Sequence, residues 1–189
     1  MLDPALRLPD RVRLIVHEAS GRELFGRLAD HSLDVVLTDA PIPPHSHIKA
    51  YSHLLGECGV SWFAVDRIAR GLRRNFPKSL SAAPVLLPIE STTMRRGLDT
   101  WFEKNALHPS IVAEFADSAL LKAFGQEGHG AFPAPTAIED EIKRQYGVQI
   151  VGRVDEMRER FYAISVERRI KHPAVAAIST AARDEIFDS

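Results

Sequence analysis

The sequence predicts an α/β chain built on open, mainly parallel sheets with helices on both faces. Three observations carry that expectation. Short β-branched or apolar runs such as Leu33–Thr38 and Val85–Leu87 read as strands. Amphipathic stretches follow them, for example Met94–Asn105 with Leu98, Trp101 and Phe102 on one face. Short oxygen side chains recur at the turns from strand to helix.

Taken in order, Arg11–Val16 is expected as a first strand. Ser20-Gly21-Arg22-Glu23 has the S-x-x-E spacing of a capping box, so a helix should run from there to about His31. Leu33–Thr38 is nearly all apolar, as in a strand covered on both faces. The prolines of Asp39–Pro44 predict a loop. Ala50–Val65 is strand-rich, with breaks expected near Gly56 and Gly59, and a short helix follows over Asp66–Asn75. Pro77–Pro84 is a polar connection. The alternation then restarts: strand Val85–Leu87, helix Met94–Asn105, strand Ile111–Ala113, helix Ala119–Gly125, short strand Ala131–Phe132, helix Thr136–Tyr146. Strands are expected over Val148–Val154 and Phe161–Val166. A last helix opens at Pro173, whose missing N–H costs nothing in a first turn, and ends near Phe187.

Composition sets the bounds. A chain of 189 residues can bury a real core, as one large domain or two lobes. Lys+Arg 24 against Asp+Glu 25 gives a formal charge of -1, which argues against gripping DNA with this chain alone, because phosphate contacts need a basic surface. Cys58 is the only cysteine, so no internal disulfide can form; a reducing, cytoplasmic setting fits. No apolar run reaches the roughly 20 residues of a membrane span, and no signal peptide opens the chain.

The chemistry-bearing pattern is the recurrence at the turns. Ser20, the run Ser91-Thr92-Thr93, the pair Asp117-Ser118 and Thr136 each stand where a helix N-cap belongs. Thr136-Ala137-Ile138-Glu139 repeats the capping-box spacing. Each alone is an ordinary cap. As a set they would face one cleft of an open α/β sheet, where free N–H groups favour an anion or a polar ligand. Ser91, Thr92 and Thr93 exceed what one cap needs. Asp39 ends a strand and is either a site residue or an Asx-turn into the proline loop. His17 and Glu18 end the first strand, facing the cleft or solvent. His45, His47 and His53 lack the fixed-spacing ligand set of a closed zinc site, and Cys58 beside Glu57 reads as packing. Arg70, Arg73 and Arg74 read as a solvated helix face. No cofactor motif occurs, and no metal site is assigned.

From about Arg11 to Phe187 the sequence resembles the effector-binding domain of LysR-type transcriptional regulators. The resemblance rests on Leu33 through Pro41, Gly56-Glu57-Cys58-Gly59-Val60-Ser61, Leu87-Pro88, Glu114-Phe115, Ala119 through Gly125, Pro133-Ala134-Pro135-Thr136, Gly152-Arg153-Val154, Glu167-Arg168, and Ile170 through Val175. The Gly-Glu-Cys-Gly-Val-Ser and Lys-Ala-Phe-Gly stretches are similar to a subgroup that activates a sodium/proton antiporter gene.

That resemblance implies a two-lobed, type-2 periplasmic-binding-protein-like fold. Residues 1–63 with 167–189 would form the first lobe and 64–166 the second, with an effector between them. It places the effector against Asp39, Ser91, Thr92, Thr93, Phe115, Asp117, Pro133 and Thr136. The subgroup implies sodium or lithium as effector, with Glu18 and Asp39 as cation ligands by analogy with hard-cation oxygen sites; the wider family implies a small polar molecule. It also implies a homodimer or homotetramer, and DNA contact only through a helix-turn-helix domain that this chain lacks. The family's first strand and most of its first helix are missing too, Met1–Leu8 matching that helix's tail. The expected consequence is a gap, a re-paired sheet or a missing cleft wall in the first lobe.

Signal reception for transcription is therefore the leading expectation, and not catalysis. A solute-binding receptor of the same fold is the alternative. An enzyme using Asp39 and Thr93 is a third reading, without a nucleophile–base pair to support it.

Overall fold

The computed structural model describes residues 3–10, 12–168 and 170–187. In chain order the elements are α1 (Asp3–Leu6), α2 (Gly21–Ala29), β1 (Val36–Thr38), β2 (Tyr51–Ala64), α3 (Asp66–Arg73), β3 (Pro84–Pro88), α4 (Thr93–Lys104), β4 (Ser110–Phe115), α5 (Ser118–Gln126), β5 (Phe132–Pro135), α6 (Glu139–Tyr146), β6 (Gln149–Ser165) and α7 (Pro173–Ala181). Single 3-10 turns lie at Lys78–Leu80 and Thr136–Ile138, and a π-type turn at Ala182–Phe187 continues α7. The chain divides into two compact units, Met1–Glu57 with Arg160–Ser189, and Cys58–Glu159. It crosses from one to the other within β2 and again within β6.

In the first unit, β1 pairs antiparallel with the end of β6, Val36 opposite Ile164 and Thr38 opposite Tyr162. The period of two sorts β6 side chains between two cores. Ile164, with Tyr162 and Val166, packs on Leu28 of α2 and on Val36; Ala163, with Phe161, packs on Leu55 and Ala182. A third cluster joins Ala5 of α1 to Ala174 and Ile178 of α7, with Leu8, Val12 and Leu14 against it. The helix starts are local products of sequence. Ser20 Oγ accepts from Glu23 N at 3.3 Å, and Pro173 takes the first position of α7.

The second unit has three layers. β3 and β4 pair in parallel, Pro84 opposite Ser110 and Pro88 opposite Phe115. A parallel bridge joins Val85 to Ala131 just before β5, and β5 pairs antiparallel with β2. Alternation along β2 and β3 divides the core. Val60, Trp62, Val85 and Leu87 face Leu98, Trp101 and Phe102 of α4, while Phe63 and Leu86 face Leu121 of α5 and Ile142 of α6. Trp62, Phe63 and Phe132 have no exposed surface. Each such side chain stabilises the fold by about 1.5–3 kcal/mol through removal from water. Gly125 permits the closest approach in this core, since a Cβ there would run into the Phe132 ring.

Several expectations are corrected. Val12–Val16 forms no strand, and Ile15 and Val16 are largely exposed; Arg11 lies outside the described residues. Alternation favoured a strand there, but no partner strand supplies the ladder among the described residues. By contrast, residues 3–10 hold the short α1 and no strand, in keeping with the helix tail expected there; Met1 and Leu2 lie outside the described residues. β1 is shorter than Leu33–Thr38 and Leu37 is exposed, so it is not covered on both faces. The sheets are mixed, not mainly parallel. β2 is one strand of 14 residues, unbroken at Gly56 and Gly59. A Cβ on Gly59 would sit 3.2 Å from Val154 O, so this glycine admits a neighbouring backbone rather than ending the strand. Likewise Val148–Val154 and Phe161–Val166 belong to the single 17-residue β6.

Candidate functional site

The parallel pairing of β3 with β4, and the parallel bridge beside β5, bring the carboxyl ends of three strands to one edge of the second unit. Ligands of open α/β sheets bind at such an edge. The edge carries Ser91, Thr92 and Thr93 after β3, Phe115 at the end of β4 and Asp117 after it, and Pro133 and Thr136 in and after β5. Ile89 N donates to Phe115 O at 3.0 Å, tying the first turn to the second.

Thr92 is the cap of α4. Its Oγ1 accepts from Arg95 N at 3.2 Å and donates to Ile89 O at 2.9 Å. Its hydroxyl is therefore fully engaged in shaping the turn. Ser91 is exposed and Thr93 half-buried. Asp117 caps α5, accepting from Ala119 N at 2.6 Å and Leu120 N at 3.3 Å. Phe115 packs against Phe124 with the rings tilted by 56° and their centroids 5.1 Å apart. Pro133 is buried within β5 opposite Trp62. Thr136 opens a 3-10 turn and does not cap α6, whose start has no side-chain cap. The expected box fails because Glu139 has better partners. It accepts two hydrogen bonds from Arg153, at 2.7 and 2.6 Å, and one from the buried Ser61 hydroxyl. Partial burial pushes the Glu139 carboxyl up, but the hydrogen bonds from Arg153 and Ser61 and the Arg153 charge outweigh it and hold it below the usual range.

Asp39 and Glu18 lie in the first unit, Asp39 half-buried in the bend after β1 and Glu18 exposed. Among the described residues no group of three or more His, Cys, Asp or Glu side chains could hold a metal ion. His45 and His47 are exposed, and His53 Nε2 lies 3.1 Å from Ser165 Oγ and 3.3 Å from Glu167 O. Cys58 is buried, and Glu57 pairs with Arg160 at 3.0 Å. Arg73 reaches Ile150 O at 2.6 Å, so the Arg70–Arg74 cluster is partly structural.

Sequence reasoning missed the cations of this edge. Arg95 is buried on α4 and donates to Pro88 O at 3.0 Å, to Asp99 at 2.8 Å and to Glu114. Arg96 donates to Ser91 O at 2.8 Å and to Thr93 Oγ1 at 3.2 Å. Lys122 of α5 donates to Ser118 Oγ at 3.3 Å; burial lowers its pKa, against the opposing pull of Asp117. The signal was present: two arginines occupy the first turn of α4, where a helix would otherwise favour acids. Arg95 is thus neutralised by Asp99 and Glu114 and Lys122 faces Asp117, whereas Arg96 donates to neutral oxygens of the Ser91–Thr93 turn and places its charge there, an arrangement suited to holding a polar or anionic group.

No helix among the described residues is long and apolar enough to cross a membrane. The sequence is 32% identical over 187 residues to the transcriptional activator protein NhaR of Escherichia coli K12, covering 99% of this chain and 61% of that protein, so the chain spans only part of its curated relative. The fold matches the regulatory domain of HypT from Salmonella typhimurium in its apo form, with TM-score 0.71 and 18% identity over 95% of this chain and 86% of that one. It also matches Vibrio fischeri DarR in complex with DNA, a LysR-family member, with TM-score 0.69 and 18% identity over 97% of this chain and 62% of that one. The family model of the LysR substrate binding domain covers residues 3–186, and the chain belongs to that family.

Proposed function

We propose that this chain is the effector-sensing part of a LysR-type transcriptional activator, acting in a homo-oligomer and reaching DNA through a separate helix-turn-helix domain. The observation that carries the reading is the edge where β3, β4 and β5 end together, with Ser91, Thr93, Phe115 and Thr136 along it. Residues 1–63 with 167–189 and residues 64–166 serve as its two lobes. Binding regulates only if the effector prefers one conformation over another.

Two effector classes are in play. Similarity to activators of a sodium/proton antiporter gene supports sodium or lithium, with Asp39 and Glu18 as carboxylate ligands. The cations beside the Ser91–Thr93 turn support a small polar ligand at the second unit. The Arg96 guanidinium already occupies Ser91 O and Thr93 Oγ1, and a metal ion would have to displace it.

Thermal unfolding of the purified chain in sodium, lithium, potassium and choline chlorides at equal ionic strength tests the first class. A rise in Tm with sodium or lithium alone, lost in Asp39→Asn, is the expected cation result. The second class is tested by a library of small polar metabolites, with a rise lost in Thr93→Val. Absence of any Tm change at saturating concentrations in both arms refutes the sensing reading.

A further inference from the structure

Within the second unit, a groove of about 550 Å³ runs between α4 and β6. Its volume lies in the roughly 300–1,000 Å³ range of small-molecule sites. Thr93, Arg96, Gly97, Thr100, Trp101 and Lys104 line one wall, and residues 156–159 the other. We propose that this groove is a second binding site, for a small organic anion with an apolar body, adjoining the edge described above at Thr93 and Arg96.

The floor is apolar. Gly97 keeps it open: a Cβ there would stand 2.9 Å from Met157 Cε, so any side chain would close the gap between helix and strand. Trp101 is 4% exposed, and its Nε1 donates to Glu156 Oε1 at 3.1 Å, which fixes the indole against the groove. The rim is cationic. Arg96, Lys104 and Arg158 outnumber the two carboxylates, Glu156 and Glu159. Glu156 already accepts from Trp101, and Glu159 is buried at 4% exposure. Lys104 and Arg158 are exposed and form no ion pair among the described residues. Two free cations above an apolar floor match a ligand whose charge and body lie at opposite ends. Arg96 spans both regions, since it also holds the Ser91–Thr93 turn.

The test uses benzoate as probe and the two tryptophan indole N–H resonances as readout. Trp101 reports the groove; Trp62 is fully buried with its Nε1 unpartnered, and serves as the internal reference. Benzoate should move the Trp101 resonance saturably and leave Trp62 in place. Benzamide, which keeps the body without the charge, and acetate, which keeps the charge without the body, should each bind at least about ten-fold more weakly, a difference of about 1.4 kcal/mol. The double variant Lys104→Gln/Arg158→Gln should weaken benzoate by about the same factor, with an unmoved Trp62 resonance showing that the fold is intact. The proposal is overturned if benzoate leaves Trp101 unmoved, if benzamide binds equally well, or if the double variant binds benzoate as the parent does. Because the readout is local to the groove, failure here leaves the reading of the β3–β5 edge standing.

Discussion

Arg95 offers the sharpest test of how the second unit is held together. Its side chain is 6% exposed, and its guanidinium bridges the end of β3, through Pro88 O, to Asp99 on its own helix and Glu114 on β4. Arg95→Ala removes all three contacts. The hydrogen bond from a charged donor to the Pro88 carbonyl contributes about 1.5–3 kcal/mol. The carboxylates of Asp99 and Glu114 are 46% and 42% exposed, so water partly replaces the arginine. Each pair then counts at the exposed-pair scale of about 0.2–1 kcal/mol. The sum is a destabilisation of about 2–5 kcal/mol. With a urea dependence near the middle of the range, about 2 kcal/mol/M, the midpoint should fall by about 1–2.5 M. Both tryptophans, Trp62 and Trp101, lie in the second unit, so their fluorescence follows that unit's unfolding. Arg95→Met keeps much of the apolar stem and should recover little stability. A loss below about 1 kcal/mol in the alanine variant, or near-complete recovery in the methionine variant, refutes the assignment of the energy to the guanidinium's bonds.

Two further outcomes concern packing and pH. Gly125→Ala places a methyl against the fully buried Phe132 ring and should cost about 1–3 kcal/mol, read from the same urea midpoint; an unchanged midpoint would mean that α5 moves away at no cost. Glu139 is held below its usual carboxylate range, so its contribution is present above the unfolded pKa and is lost as pH falls through the folded one. The parent should therefore lose more stability than Glu139→Gln between about pH 6 and about pH 3. Parallel stability–pH curves for the two proteins would show that the Arg153 and Ser61 bonds do not carry the shift.

The sequence itself determined the helices of this protein and the composition of its turns. Ser20, Thr92 and Asp117 act through a backbone N–H two or three residues on, so their effect is written in a window of four residues. Amphipathic spacing likewise placed Leu98, Trp101 and Phe102 toward the core. The family was legible for the same reason: its motifs are contiguous runs. Tertiary structure decided what depends on partners far along the chain. Strand Val12–Val16 failed because alternation describes a half-buried strand but cannot supply its neighbour. The glycines of β2 looked like breaks until Val154 was seen against Gly59, 95 positions away along the chain by subtraction of the residue numbers. Thr136 had the spacing of a cap, but Ser61 and Arg153 claimed Glu139 and the box did not form. At the candidate site the hydroxyls and the two arginines at the start of α4 were both visible in the sequence, while the partners those arginines bind were not. A hydroxyl at a helix start is a local signal; a buried arginine shared by two strands and a helix exists only once the sheet has formed.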